Sequence, residues 1–127
     1  MLFCDIDHFK AVNDTWGHAV GDAVLLIVAD RISRCVRHGD TAGRTGGDEI
    51  IVLLPGLKSL NEASQIAEKI RTRNAEPIHQ SGNTFTVTLS IGATIAIPGE
   101  SASAMTARAD MAMYQAKHAG RNRVTSI

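Results

Sequence analysis

The sequence has little that would let it act through bulk character. It carries no charge imbalance, with 13 Lys+Arg against 13 Asp+Glu, which argues against a chain that coats nucleic acid or anionic lipid electrostatically. No apolar run approaches the ~20 residues that span a bilayer. Residues 1–6 are too short, and lack the basic flank, for a signal peptide. Cysteine is limited to Cys4 and Cys35, in apolar surroundings and without the spacing of a metal clip. These read as reduced core thiols in a cytoplasmic protein rather than a disulfide. Aromatics are scarce at 4%, while 44% hydrophobic and 20% charged residues describe an ordinary soluble domain. There is no repeat, low-complexity tract or linker to divide residues 1–127, so one domain is expected. His8, His38, His79 and His118 show no zinc spacing and read as surface residues.

What is present is a series of local patterns. Residues 1–6 form an apolar run that meets acid at Asp5 and Asp7, which predicts a buried strand. Residues 7–22 are polar and turn-like. Leu25, Val28, Ile32, Cys35 and Val36 mark an amphipathic helix that stops near His38-Gly39. Residues 41–45 and 50–54 flank Gly46-Gly47-Asp48-Glu49 as a hairpin. Ser59 and Glu62 form a capping-box signature ahead of Leu60, Ala63, Ala67 and Ile70. Residues 77–83 read as a loop, and residues 85–97 alternate so regularly that one long strand is expected. Met105, Ala109, Ala112, Met113 and Ala116 predict a last helix closed by Gly120, with residues 123–127 as an edge strand. This order fits an α+β, ferredoxin-like (split-βαβ) architecture, a mostly antiparallel sheet flanked by helices.

Three features carry chemistry. Asp5-Ile6-Asp7 ends a buried strand, Gly46-Gly47-Asp48-Glu49 forms a hairpin tip, and Lys117 and Arg121 close the last helix. An unpaired buried carboxylate costs several kcal/mol, so acids at a strand end beside acids of a hairpin imply a cation between them. Hard oxygen ligands of this kind suit Mg²⁺, which completes its shell with water and substrate phosphates. Paired glycines let backbone N–H groups approach a phosphate, and Lys117 and Arg121 add positive charge. Together they read as a metal-dependent nucleotidyl-transfer site. Each feature also has a plain structural reading: Asp7 as a helix cap, Gly-Gly-Asp-Glu as an ordinary hairpin turn, Lys117 and Arg121 as a solvated helix end favoured by the macrodipole.

Taken together, the blocks Asp5-Ile6-Asp7-His8-Phe9-Lys10, Asn13-Asp14-Thr15-Trp16-Gly17-His18, Gly21-Asp22, Arg44-Thr45-Gly46-Gly47-Asp48-Glu49, Thr88-Leu89-Ser90-Ile91-Gly92 and Ala116-Lys117-His118-Ala119-Gly120-Arg121-Asn122 resemble the GGDEF domains in order and spacing. These bacterial diguanylate cyclases condense two GTP into cyclic di-GMP. The resemblance implies a nucleotidyl-cyclase palm in which Asp5 and Asp48 ligate Mg²⁺ (or Mn²⁺, often two ions), assisted by the Ile6 carbonyl. Glu49 would be a further ligand or would help deprotonate the attacking 3′-hydroxyl. Gly46 and Gly47 would admit the α- and β-phosphates, Asn13 and Asp22 would read the guanine edge, and Lys117 and Arg121 would hold the β/γ-phosphates. Phe9, Lys10 and His18 would line the nucleotide. Arg37-His38-Gly39-Asp40 matches the family's RxxD inhibitory site for cyclic di-GMP. Because one domain holds one GTP, the reaction implies a homodimer, lasting or transient.

The pattern departs at Ile50, where phenylalanine is usual, and at Trp16, where Tyr or Phe is usual. The family also begins earlier, with a helix and an Asp-x-Leu-Thr-Gly-Leu-x-Asn-Arg element. Here Met1 opens on the first strand, which implies a domain lacking its usual N-terminal helix and exposing apolar surface. An enzyme is the first reading. The alternatives are a catalytically impaired module that binds cyclic di-GMP or GTP, and a dimerisation scaffold.

Overall fold

The computed structural model describes residues 1–127. Its elements run β1 (Leu2–Ile6), α1 (Phe9–Trp16), α2 (His18–Ser33), β2 (Thr41–Gly46), β3 (Glu49–Leu53), α3 (Leu60–Asn74), β4 (Ile78–Gln80), β5 (Asn83–Phe85), β6 (Leu89–Ala93), α4 (Ala102–His118) and β7 (Arg123–Ser126). A five-stranded sheet has the order β2-β3-β1-β6-β7. All its neighbours are antiparallel except β6 and β7, which run parallel. This is the expected α+β, mostly antiparallel architecture flanked by helices.

Period-two alternation sorts the strand side chains onto two faces. Leu2, Cys4 and Ile6 of β1 and Leu89, Ile91 and Ala93 of β6 join one large core with Val24, Val28 and Ile32 of α2 and Ala63, Ala67 and Ile70 of α3. Met1 and Phe3 pack on the other face against Ala109 and Met113 of α4. Both central strands are buried throughout, which explains their near-continuous apolar character. Cys4 and Cys35 are both buried and unbonded, and burial pushes the Cys4 thiol up to about 12.

Four expectations need correction. Residues 7–22 are not turns but contain α1 and the start of α2, joined at Gly17, whose φ is 90°. The period was illegible because Val12 is the one buried residue of α1. Helix α2 ends at Ser33, short of residues 38–39. Residues 77–83 are not a loop: β4 and β5 form a ribbon whose turn, Ser81-Gly82, has positive φ at both positions, the geometry that matches strand twist. The long strand expected over residues 85–97 is two. β5 pairs with β4, and β6 spans Leu89–Ala93 only, its register with β1 running from Ile6 opposite Leu89 to Leu2 opposite Ala93.

Helices α3 and α4 start at side-chain caps. Ser59 Oγ accepts from the Glu62 N–H at 3.2 Å, Glu62 Oε2 accepts from the Lys58 N–H at 2.9 Å, and Ser101 Oγ accepts from the Ala104 N–H at 3.1 Å. Helix α4 lies unusually close to β6. A Cβ on Gly92 would sit 2.1 Å from the Ala109 carbonyl oxygen and 2.4 Å from the Met113 nitrogen, both backbone atoms. Gly92→Ala therefore has no side chain to push aside and must displace the helix. We expect a loss of about 3 kcal/mol in chemical denaturation; a variant as stable as the parent would contradict this close approach.

Candidate functional site

The same alternation that buries Phe3 turns Asp5 toward α4. Lys117 Nζ, at the end of that helix, donates to Asp5 Oδ2 at 2.8 Å. The other carboxylate oxygen, Oδ1, is buried without a hydrogen-bond partner. Asp5 also stands opposite Glu49 in the β1–β3 ladder. The Ile6 N–H donates to the Asp48 carbonyl at 3.2 Å, fastening the Gly46–Glu49 turn to the strand end. Burial pushes the Asp5 carboxyl up to about 6. The Lys117 hydrogen bond pulls it back, and the charges of Asp48 and Glu49 add to the push.

The turn has its own requirements. Gly47 has φ 51°, the left-handed region in which glycine carries no Cβ penalty. The register shifts between Arg44 and Gly46, a bulge that re-aims the turn, and Arg44 Nε donates to the Gly47 carbonyl at 2.7 Å. A Cβ on Gly46 would meet nothing within 4 Å, so the space before the turn is open. The donor set fits a hard cation. An orphaned carboxylate oxygen lies beside two further acids, though no three-residue His/Cys/Asp/Glu cluster is preassembled. Mg²⁺ asks for one or two carboxylates and takes its remaining ligands from water and phosphates.

A cavity of about 510 Å³ opens beside this turn between α2 and the β2–β3 hairpin, lined by Asp22, Leu25, Leu26, Gly43, Arg44 and Ile50 among others. It combines an apolar wall with a carboxylate and a guanidinium, as small-molecule sites commonly do. Ile50, at the departure from the family signature, is buried. Asn13 of α1 lies over Gly21, where a Cβ would fall 1.8 Å from Asn13 Oδ1, so glycine there lets Asn13 pack against α2. Phe9 opens α1 half-buried against the core. Lys10 and His18 are exposed on α1 and α2 and make no hydrogen bond to the acids. Arg121 is exposed on the turn after α4.

Arg37 and Asp40 converge elsewhere. Asp40 Oδ2 accepts from the Arg37 backbone N–H at 2.7 Å and lies 3.5 Å from Arg37 Nε, while Arg37 Nη2 donates to the Pro55 carbonyl at 3.2 Å. They border a separate cavity of about 370 Å³ whose far wall is Glu62, Gln65, Ile66 and Lys69 of α3.

Two features were missed by sequence reasoning. Arg44 was visible as a charge beside the glycines, but its bond to the turn was not. Asp7 was read as a helix cap. Instead, α1 is capped by His8 with φ 56° and no side-chain bond, and the Asp7 carboxylate accepts from Thr88, Ser90 and Asn122. No local pattern announces partners so far away along the chain.

The fold and the site define an α+β domain of the nucleotidyl-cyclase palm type. Residues 1–123 match the family model described as diguanylate cyclase, GGDEF domain, and the chain belongs to that family. It is 47% identical over 127 residues to diguanylate cyclase A of Treponema denticola, covering 98% of this chain and 34% of that protein. Among solved structures it is similar to the diguanylate cyclase SiaD from Pseudomonas aeruginosa, in complex with its activator SiaC (TM-score 0.93, 36% identity, covering 99% of this chain and 48% of that one). It is also similar to the coiled coil and GGDEF domain of DgcB from Caulobacter crescentus in complex with c-di-GMP (TM-score 0.92, 35% identity, covering 99% and 68%). The chain spans about a third or less of the first curated relatives it matches (34%, 18% and 35%).

The Asp5 carboxyl gives a pH signature. Because its folded pKa lies above the unfolded one, the folded state binds the extra proton between about 4 and 6, and metal-free stability falls as pH rises through that window. Asp5→Asn should raise the metal-free melting temperature at pH 8, with the gain fading as pH drops from about 6 toward 4. A gain independent of pH would contradict the assignment.

Proposed function

We propose that this domain condenses two molecules of GTP into cyclic di-GMP. The observation that carries the reading is the orphaned, buried Asp5 Oδ1 beside Asp48, Glu49 and the charge of Lys117. Asp22 lines an apolar cavity between α2 and the hairpin whose turn carries Asp48 and Glu49.

In this reading Asp5, Asp48, Glu49 and the Ile6 carbonyl hold Mg²⁺ or Mn²⁺. Once bound, the cation neutralises charge at the α-phosphate and polarises the attacking hydroxyl. Asp22 and Asn13 accept from and donate to the guanine edge. A base lacking that pattern leaves their polar groups unpaired, which is costly in a desolvated pocket. Gly46 and Gly47 admit the α- and β-phosphates, with Phe9, Lys10 and His18 at the borders of the nucleotide. Lys117 leaves Asp5 and, with Arg121, holds the β/γ-phosphates, so the departing pyrophosphate is met by two positive charges. The 3′-oxygen of one nucleotide attacks the α-phosphorus of the other in line. The new P–O ester bond forms as the bond to the β-phosphate oxygen breaks, and Glu49 assists removal of the hydroxyl proton. Each domain presents one nucleotide, so two copies face each other in a homodimer, lasting or transient. GTP as substrate argues for a cytoplasmic setting, and no helix is long and apolar enough to cross a membrane.

Arg37 and Asp40 form the site for the product. The guanidinium fork suits guanine O6 and N7 together, and the cavity beside them is separate from the acids. That separation also favours a second reading, in which the domain binds cyclic di-GMP without making it.

Incubating the purified chain with GTP and Mg²⁺, followed by chromatography for cyclic di-GMP, tests the first reading. Product is expected, and Asp48→Asn should lower the rate about a hundredfold or more. No product together with tight cyclic di-GMP binding would favour the second reading, and an unchanged Asp48→Asn rate would remove the metal-site assignment. Arg37→Ala should leave early turnover intact and abolish the slowing as product accumulates; inhibition that persists would exclude the Arg37–Asp40 site.

A further inference from the structure

Asp7 has no part in the chemistry proposed above, yet it is 4% exposed and its carboxylate is fully engaged. Oδ1 accepts from Ser90 Oγ at 2.6 Å, and Oδ2 accepts from Thr88 Oγ1 at 2.7 Å and from the Asn122 backbone N–H at 3.0 Å. Burying a carboxylate with no cation beside it is costly unless donors replace its water. Two of these donors come from the adjoining strand segment and could stiffen only that neighbourhood. The third lies on the turn between α4 and β7.

That turn is conformationally demanding. Arg121 and Asn122 have φ of 63° and 46°, two successive non-glycine residues in the left-handed region that a Cβ disfavours. Such backbone persists where its surroundings over-determine it. Here the Arg121 N–H donates to the Ala116 carbonyl at 3.0 Å. Asp7 holds the Asn122 N–H from the sheet side, and Arg71 Nη1 of α3 donates to Asn122 Oδ1 at 2.8 Å from the other side. Arg71 is itself oriented by Glu68. Arg121 is thus an exposed side chain on backbone fixed at both flanks.

We propose that Asp7 is a positioning residue, with Arg71 as its outer counterpart: together they clamp Asn122 and so set the backbone from which Arg121 reaches the terminal phosphates of the nucleotide. The inference rests on the reading of Arg121 as a phosphate ligand. Asp7→Asn keeps the side-chain shape while removing the charge, and one of its oxygens becomes a donor that no longer accepts.

The test is calorimetric affinity for a GTP analogue with a methylene bridge between the α- and β-phosphates, and for GMP, in the full chain. The variants are Asp7→Asn, Arg121→Ala and the double variant, with thermal unfolding to confirm the fold. Each single variant should weaken triphosphate binding about tenfold, the worth of one charge-assisted contact. The double variant should be no weaker than Arg121→Ala, and GMP affinity should be unchanged throughout. Arg71→Met, at a half-buried position on α3, should show the same dependence on Arg121 with a smaller loss, and decides the matter if Asp7→Asn fails to fold. Additive losses, or equal losses for GMP and triphosphate, would overturn the clamp while leaving Arg121 as a ligand. No effect of Arg121→Ala would overturn both.

Discussion

A β-strand sends successive side chains to opposite faces, and in β1 that alternation divides Leu2, Cys4 and Ile6 from Phe3 and Asp5, with Asp7 following in the turn at the strand end. The first set builds the main core with α2 and α3. The second begins as core under α4 and ends at the Asp5 carboxylate, where the sheet gives out. A one-residue slip would send Asp5 into the main core and turn Ile6 out of it. The register with β3 and β6 on either side of β1 therefore fixes the chemistry as well as the packing.

Asp5 in β1 and Asp7 in the turn just after it meet opposite fates. Asp7 is satisfied by three donors and stays fixed. Asp5 has one cationic partner and one empty oxygen, and burial works against its charge. A fully satisfied polar group rigidifies its surroundings, whereas an incompletely satisfied one is primed to take a ligand. The difference comes from what lies above each residue: a flexible lysine over Asp5, and strand hydroxyls with a backbone amide over Asp7.

Helix α4 carries Lys117, the cation on Asp5, and leads into the turn that carries Arg121, so its position matters more than its sequence suggests. Gly92 beneath it, with Ala109, Ala112 and Ala116 buried along its inner face, brings helix and sheet within backbone contact. At its N-terminal end Arg108 donates to Glu100, to Thr94 Oγ1 at 2.5 Å and to the Ile95 carbonyl at 2.6 Å. At its C-terminal end the Asn122 turn is held by Asp7 and Arg71. Lys117 thus stands on a helix held closely against the sheet, and Arg121 on the turn that follows it.

The sequence by itself determined the fold class, the central strand ending in acids, the Gly46–Glu49 hairpin, the start of α3 at its Ser59 cap and the last helix, because strong periodicity and turn chemistry are local properties. Charged residues at the strand end and the hairpin tip marked candidate site residues for the same reason, since a buried carboxylate needs a partner. Local pattern failed where burial is thin or pairing is distant. Helix α1 offers a single buried residue, and residues 85–97 alternate smoothly although their partners change from β4 to β1. Only the tertiary structure decided that Lys117 rests on Asp5, that Asn13 lies over Gly21, and that Asp7 reaches across 115 positions to Asn122 rather than capping a helix. Those contacts join segments whose spacing along the chain carries no period, so they exist only once the sheet and helices have packed.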